Sequence, residues 1–202
     1  MRTKTEEKRQ AIVDVAAATF AELGFERSSM SEICSRLGGS KATIYNYFPS
    51  KEALFVEVMF RASEQDFQNT LSALQASGDD LITTLHTFGR RFLGLLYSPE
   101  VAAVRRLLVA EGGRSQIGQR CYEQGPRKGN AQIGAFLQQA MNAGQLRQAP
   151  VELATQQLQA LLEAELLDQF LFQHLPAPSA KDIAQYSDRA IEAFMRLYAP
   201  GS

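Results

Sequence analysis

The chain has 202 residues and a formal net charge of −1, and 45% of its residues are hydrophobic and 21% are charged. This balance is typical of a folded globular protein and excludes a disordered or low-complexity chain. No apolar run reaches the roughly eighteen residues of a membrane span, and the polar start of the chain lacks the apolar segment of a signal peptide. We therefore expect a cytoplasmic protein with no membrane partner.

The few cysteines and histidines argue against several kinds of site. Cys34 and Cys121 are too few for a disulfide framework, and neither stands at the spacing of a zinc site. His86 and His174 each stand alone in the sequence, so neither is assigned to a metal. The sequence predicts no metal and no cofactor.

Charge is distributed unevenly along the chain. Residues 1–51 carry eight lysines and arginines against six aspartates and glutamates, whereas residues 52–202 carry thirteen against sixteen. A modestly basic end on an acidic body suits a protein that touches DNA with one end only.

The stretch from Ser28 to Lys51 predicts two short helices separated by a glycine turn. Ser29 and Glu32 form a capping box at the start of the first helix. Gly38 and Gly39 end that helix, because glycine adopts the left-handed conformation without a steric penalty. The apolar residues of this helix recur at helical spacing and predict one buried face, made of Met30, Ile33, Cys34 and Leu37.

The second short helix begins after its cap, Ser40, and is too short to be stable without tertiary packing. Ile44 and Phe48, four residues apart, supply its inward face. Two helices joined by a glycine turn, with a polar second helix, form the helix-turn-helix pattern, whose second helix lies in the DNA major groove. The outward residues offer a cation, hydroxyls, an amide and aromatic rings, which suit phosphate oxygens and base edges: Lys41, Ala42, Thr43, Tyr45, Asn46 and Tyr47.

Residues 38–48, GGSKATIYNYF, and residues 51–54, KEAL, resemble the DNA-binding signature of the tetracycline-repressor (TetR/AcrR) family of bacterial transcriptional regulators. The resemblance covers residues 8–60, and the middle of the chain looks similar to the AcrR-like branch of the family. Gly39, Ala42 and Asn46 depart from the residues that are common in the family signature. These departures bear on the operator sequence more than on DNA binding.

The resemblance implies a role for each matching residue. The residues expected to contact phosphates are Ser28 or Ser29, Ser40, Thr43, Tyr47 and Lys51. The residues expected to approach base edges are Lys41, Ala42, Tyr45 and Asn46. For one of the two tyrosines, packing under the second helix is the alternative.

Helical periodicity continues through the rest of the chain, so the sequence predicts an all-α fold of about nine helices. The first three helices form a helix-turn-helix domain over residues 1–51, with the first helix stopping at Gly24. A fourth helix, from residue 50, links this domain to a helical ligand-binding and dimerisation domain over residues 52–202. A long apolar helix is expected from Pro150 to His174, and a last helix begins after Ser179.

The last two helices carry leucine and phenylalanine on more than one face, which one neighbour cannot cover. Pairing with a second subunit around a two-fold axis would bury them in a four-helix interface, as the family resemblance also implies. The alternative is that helices of the same subunit cover these faces. The residues predicted for the dimer interface are Leu158, Leu162, Leu166, Phe170, Ile191 and Phe194.

Polar residues on apolar helices and an aromatic set suggest where an effector could bind. Glu111 and Glu165 lie on apolar helices, where a carboxylate needs an arginine or a ligand as partner. The alternative for each is a solvated or internally paired carboxylate. The aromatic and apolar residues that could line a cavity, or could form plain core, are Phe88, Phe92, Leu96, Tyr122 and Phe136.

Together these features predict a DNA-binding transcriptional regulator and not an enzyme. By family resemblance, it would be a homodimeric repressor that binds a palindromic operator in double-stranded DNA and is released by a small hydrophobic or amphipathic ligand. The segment from Gly38 to Ala42 narrowly misses the Gly-x-Ser-x-Gly motif of hydrolases, and no strand is predicted before it. The other alternative is an all-helical adaptor that uses its helix-turn-helix to contact proteins.

Overall fold

The computed structural model describes residues 4–75, 80–110, 117–173 and 176–201, and these residues contain helices and no strand. The predicted all-α fold is therefore confirmed for this part of the chain. The described ranges hold eleven α-helices and one short 3-10 helix, a few more than the sequence predicted. The α-helices are α1 (Lys4–Arg27), α2 (Met30–Leu37), α3 (Lys41–Tyr47), α4 (Lys51–Ser72), α5 (Leu81–Leu96), α6 (Pro99–Ala110), α7 (Ile117–Gln124), α8 (Pro126–Asn142), α9 (Val151–Glu163), α10 (Leu167–Leu171) and α11 (Ala180–Tyr198), and the 3-10 helix is Ala73–Gln75.

The chain divides into two compact units. The first unit comprises residues 1–63 and 103–118, and the second comprises residues 64–102 and 119–202. Helix α4 therefore has residues in both units. None of the described helices combines the length and the apolar character that crossing a membrane requires.

The first unit also includes residues 103–118, but its helix-turn-helix part consists of α1, α2, α3 and the start of α4. Its centre is formed by side chains that are at most 1% exposed, one or more from each helix: Ile12, Ala16, Ile33, Ile44 and Leu54. Helix α1 kinks at Gly24, whose φ of 77° is open to glycine at little cost, and continues to Arg27. The predicted stop at Gly24 is thus a change of direction. Phe25, beyond the kink, packs against Phe55 of α4 with ring centroids 4.7 Å apart.

The second unit has its own core, in which α5, α8, α9 and α11 meet. Leu85 and Phe88 of α5, Leu137 of α8, Leu158 of α9 and Phe194 of α11 are fully buried there. In each of these helices the buried residues recur three or four positions apart, as in Leu85 and Phe88, because the helical period puts such residues on one face. Hydrophobic burial of this face stabilises the unit, because each large apolar side chain contributes about 1.5–3 kcal/mol when removed from water.

The prediction of one long helix from Pro150 to His174 is wrong in one respect, because the helix breaks between residues 163 and 167. The backbone tightens there to bonds spanning three residues, with Ala164 N–H donating to Leu161 O and Leu166 N–H donating to Glu163 O. No glycine or proline marks this break in the sequence. Helix α10 follows as a separate element, and His174 lies outside the described residues.

Five of the six residues predicted for the dimer interface belong to the subunit's own core. Helices α9 and α11 turn their apolar stripes toward α5 and α8 of the same chain. The side chains concerned are at most 2% exposed and cannot also form a surface, which corrects the prediction for Leu158, Leu162, Leu166, Ile191 and Phe194. The sixth, Phe170, is half-buried and packs edge-on against Tyr97 at 5.8 Å.

Candidate nucleic-acid interface

The turn between α2 and α3 is held by bonds from residues that the sequence singled out. Ser29 caps α2 by accepting a hydrogen bond on Oγ from the Glu32 N–H at 3.1 Å. Gly38 ends α2 with a φ of 73°, and its N–H donates to Cys34 O at 3.1 Å. The Cys34 thiol in turn donates to Gly39 O at 2.9 Å. This buried cysteine therefore fixes the glycine turn, in agreement with a structural role.

Only half of the predicted capping box is present. The Glu32 carboxylate accepts a hydrogen bond from Arg36 Nε at 2.7 Å instead of reaching back to the start of α2. Arg36 also bonds Glu22 of α1. The Glu22 bond is the larger influence, and together these partners raise the pKa of Arg36 further above its ordinary value. The charge of Arg36 is thus balanced by two carboxylates, and its bond to Glu22 links α2 to α1.

Helix α3 is anchored through its inward face, as the sequence predicted. Ser40 caps the helix by accepting on Oγ from the Thr43 N–H at 3.2 Å, and the two hydroxyl oxygens lie 2.9 Å apart. Ile44 and Phe48 are buried. A seven-residue helix has little stability alone, so these contacts hold it in place. Ser40 follows a helix and a turn here, which differs from the strand-to-helix setting of a hydrolase nucleophile.

The outward face of α3 is free to meet another molecule. Lys41, Ala42, Tyr45 and Asn46 are exposed, and Tyr45 retains 48% of its accessible surface. Within the described ranges, the Lys41 ammonium makes no hydrogen bond or ion pair. Thr43 and Tyr47 are half-buried, so Tyr47 is the tyrosine that packs more closely against the unit. This face offers a cation, a phenol and an amide, which are groups that bind base edges and phosphates.

Two of the residues predicted to contact phosphates are engaged inside the first unit. Ser28 is only 4% exposed, and its hydroxyl donates to Gly24 O at 2.6 Å. The Lys51 ammonium donates to Phe25 O at 2.9 Å and to Ser28 O at 3.1 Å. It also lies 4.2 Å from the centroid of the Phe25 ring. Ser28 and Lys51 thus brace the corner between α1 and α2, whereas Ser29 remains exposed.

Sequence reasoning missed a similar brace near the start of the chain. The guanidinium of Arg9 lies 5.1 Å from the centroid of the Phe48 ring and forms a 2.7 Å ion pair with Glu57. The hydrogen bond to Glu57 outweighs partial burial and raises the pKa of Arg9. The three residues are far apart in sequence, and no local pattern connects them. Arg9, on α1, therefore links Phe48 at the end of α3 to Glu57 of α4.

The residues predicted to bind a ligand do not come together as one cavity. Phe88 is fully buried in the core of the second unit, and Phe92, Leu96 and Phe136 pack partly buried against that core. Tyr122 is 51% exposed. These placements favour the plain-core alternative for the aromatic set.

The two predicted carboxylates also differ from expectation. Glu165 is exposed and forms a two-pronged pair with Arg189, at 2.8 and 2.7 Å. It is an internally paired surface carboxylate rather than a buried one. Glu111 lies outside the described residues.

The second unit has an open polar groove between α4 and α5. Its volume is about 540 Å³, and it is lined by Asp66, Asn69, Thr70, Arg91, Gly94 and Leu95. Arg91 donates from Nη1 to Asn69 O at 2.8 Å across the groove. None of the predicted ligand residues that the structure describes lines it. Among all the residues that the structure describes, no three His, Cys, Asp or Glu side chains are grouped so that they could hold a metal ion.

Comparison with known families decides which class of protein carries this helix-turn-helix. Residues 12–58 match bacterial regulatory proteins of the tetR family. Residues 83–200, more than half of the chain, match the C-terminal domain of AefR-like transcriptional repressors. The chain belongs to the TetR family. It is therefore a DNA-binding transcriptional regulator, and the family predicted from residues 38–54 is confirmed.

Individual TetR-family relatives agree with this assignment. A crystal structure of a TetR-family regulator from Mesorhizobium loti superposes with a TM-score of 0.81 and 27% identity, covering 98% of this chain and 100% of that one. The flavonoid-responsive regulator FrrA gives a TM-score of 0.72 and 29% identity, covering 97% and 99%. The transcriptional regulator RutR of Escherichia coli is 40% identical over 52 residues, which are 26% of this chain. That match spans only 24% of the length of RutR.

Proposed function

We propose that this TetR-family protein is a homodimeric repressor in which α3 of each subunit reads one half of a palindromic operator, and that a small hydrophobic or amphipathic ligand releases it. The observation that carries this proposal is the outward face of α3. Its exposed residues leave polar and aromatic groups free, while Ile44 and Phe48 anchor the helix from below. A regulator of this kind acts on DNA in the cytoplasm.

Exposure and side-chain chemistry determine which residues in and beside α3 we assign to bases and which to phosphates. Lys41, Ala42, Tyr45 and Asn46 would approach base edges, since they are the exposed residues of the helix. Ser29, Ser40, Thr43 and Tyr47 would contact phosphates with hydroxyl groups and fix the register. The hydroxyl of Ser29 already accepts a helix-capping bond and can still donate one hydrogen bond outward. The hydroxyl of Ser40 also accepts a capping bond, and because it shares a hydrogen bond with the Thr43 hydroxyl, one of these two hydroxyls can donate outward.

A dimer is favoured because one seven-residue helix reads few base pairs. Two copies related by a two-fold axis would meet half-sites about 34–36 Å apart, one turn of DNA. The surface proposed for pairing consists of exposed apolar side chains on α9, α10 and α11, together with the residue that directly follows α10. They are Leu153, Leu167, Leu171, Phe172 and Leu197, and they replace the core residues that the sequence predicted for this role.

Release by a ligand is proposed from two observations. FrrA, which resembles this chain over nearly its whole length, is described as flavonoid-responsive. Helix α4 starts beside α3 in sequence and also contributes residues to the second unit. A ligand that binds the second unit could therefore act through α4, and a few kcal/mol of differential affinity is enough to empty an operator.

The test is a genome-wide selection of duplex fragments by the purified wild-type protein and by Tyr45→Ala, at moderate salt. Ile82→Ala, which removes an equally exposed apolar side chain from α5, is the matched control. We expect the wild type and the control to enrich one short palindrome that Tyr45→Ala does not enrich. Random fragments that disappear as salt rises would instead favour the adaptor hypothesis, and an unpaired half-site would rule out the dimer.

A further inference from the structure

We propose that Lys51 is a positioning residue for sequence-specific DNA binding and not a contact to the DNA backbone. The family signature places a lysine here, at the first residue of α4, where a phosphate contact is the obvious expectation. The ammonium is instead directed into the first unit. It donates to Phe25 O and Ser28 O, at 2.9 and 3.1 Å, and lies 4.2 Å from the Phe25 ring centroid.

These contacts engage most of the hydrogen-bond donors and of the charge of the ammonium group. Lys51 has three N–H donors, of which two are bound to carbonyl oxygens. The face of the Phe25 ring attracts the remaining positive charge. The C-terminal end of α1 carries a partial negative charge that favours a cation at this place. Only one N–H donor is left for a phosphate, on an ammonium that is already held by two carbonyl oxygens and an aromatic ring.

The same contacts define what Lys51 positions. Phe25 lies beyond the kink of α1, and Ser28 directly precedes Ser29, the cap of α2. One side chain thus ties the first turn of α4 to the corner from which α2 and α3 continue. The Phe25 ring extends the brace by packing against Phe55, one turn further along α4. Binding groups must be held within about 0.5 Å of their productive geometry by such supports, so loosening the corner would misplace the outward face of α3.

The two roles predict different responses to salt. Each phosphate that a cation neutralises contributes about 0.9 to the slope of log affinity against log salt concentration. If Lys51 contacts a phosphate, Lys51→Met should lower this slope by about one per subunit, or about two for the proposed dimer, and weaken every duplex alike. If Lys51 positions α3, the slope should stay unchanged, and only the operator should be bound more weakly.

The experiment measures the dissociation constants of the full chain for the selected operator and for a scrambled duplex across a series of KCl concentrations. We expect Lys51→Met to lose operator affinity several-fold, with the scrambled duplex and both slopes unchanged. Lys51→Arg, which keeps the charge and N–H donors but presents them on a larger planar group, should recover part of the operator affinity that Lys51→Met loses. Lys41→Met is the matched control: Lys41 is exposed on the face of α3 proposed to enter the major groove, where its charge would displace counterions of the DNA, so its loss should lower the slope.

A lower slope in Lys51→Met, or unchanged affinity for both duplexes, would overturn the proposal. A purely structural lysine would lower the melting temperature without changing the ratio of operator to scrambled affinity. If Lys51→Met does not fold, Phe25→Leu removes the ring under the ammonium and should show the same loss of operator affinity at constant slope. The operator measurement rests on the proposed function. The salt slope measured on the scrambled duplex does not rest on it. If no operator is found, that slope alone still decides whether Lys51 contacts a phosphate.

Discussion

A methyl group added to Gly89 would lie 2.5 Å from the hydroxyl oxygen of Ser187 and 3.0 Å from Cδ2 of Leu162. Gly89 is on α5 and Ser187 is on α11, and both are buried in the core of the second unit. The two helices therefore approach each other more closely here than any side chain at position 89 allows. The glycine is required by its neighbours, because its backbone conformation is an ordinary helical one.

We expect Gly89→Ala to lower the free energy of unfolding by about 1–3 kcal/mol, the usual cost of overpacking a core. This loss should exceed the gain of up to about 1 kcal/mol that alanine brings to a helix interior. Gly94→Ala in the same helix is the matched control, since a methyl group there meets no atom within 4 Å. Urea denaturation should show the control to be as stable as the wild type or more so. Equal stability of Gly89→Ala and Gly94→Ala would contradict the close approach.

The Ser187 hydroxyl gives a second prediction at the same contact. It is fully buried, and within the described residues it has no hydrogen-bond partner. Removing it in Ser187→Ala should raise stability by about 1 kcal/mol, because a buried unsatisfied group costs roughly 1–3 kcal/mol. Once the hydroxyl is gone, the methyl group of Gly89→Ala would face the Cβ of residue 187 at 3.6 Å, an ordinary contact distance. A double-mutant cycle should therefore give a coupling energy of about 0.5–3 kcal/mol, whereas additive effects would mean that the hydroxyl is not the atom in the way.

Spacing in the sequence was enough to predict the inner and outer faces of the helix-turn-helix. The burial of Met30, Ile33, Ile44 and Phe48 follows from positions three or four residues apart. The glycine turn could also be predicted, because the chemistry that ends a helix is local. These features depend on residues within one or two turns of each other, and such residues are close in sequence.

Contacts between distant parts of the chain could not be predicted in this way. The apolar periodicity of α9 predicts that Leu158 and Leu162 are buried, as they are, but it cannot say whether α5 or a second subunit covers them. The pairing of Glu165 with Arg189 joins residues 24 positions apart. The brace of Lys51 on Phe25 and Ser28 spans 26 and 23 positions. For Lys51, the family signature pointed to the DNA while the fold directs the side chain inward.

Asp188 should make the stability of the second unit depend on pH. Partial burial alone would raise the pKa of its carboxyl group, but hydrogen bonds and charges from Arg90 and His86, each at 2.9 Å, outweigh burial and lower it. The folded state then binds fewer protons at acid pH than the unfolded state, whose aspartates titrate near pH 3.9. The carboxylate therefore contributes stability above that pH, and the contribution is lost as the pH falls through the folded pKa.

We expect wild type to be more stable than Asp188→Asn at pH values of about 5 and above, and the difference to shrink as the pH is lowered below about 4. Denaturation curves over this range, measured for both proteins, provide the check. Raising the KCl concentration should also reduce the difference at the higher pH, because the carboxylate and Arg90 are only partly buried. A difference that does not change with pH would show that the carboxylate charge contributes nothing.

Ser40 combines two roles that can be separated by substitution. Its hydroxyl oxygen caps α3 by accepting from the Thr43 N–H, and its exposed position also suits a phosphate contact. Ser40→Ala should lower the free energy of unfolding by about 1 kcal/mol, the usual cost of losing a helix cap. Ser35→Ala, at an exposed site inside α2, is the control and should leave stability nearly unchanged.

Ser40→Asp tests the DNA contact without removing the cap. Aspartate caps helices as well as serine does, and its negative charge is favoured at a helix N-terminus. We therefore expect Ser40→Asp to melt at the temperature of the wild type. Its carboxylate would face the negatively charged DNA backbone, so its affinity for every duplex should fall, and Ser40→Ala should bind more tightly than Ser40→Asp despite being less stable. If Ser40→Asp binds duplex DNA as tightly as the wild type, Ser40 does not approach a phosphate and serves α3 only as a cap.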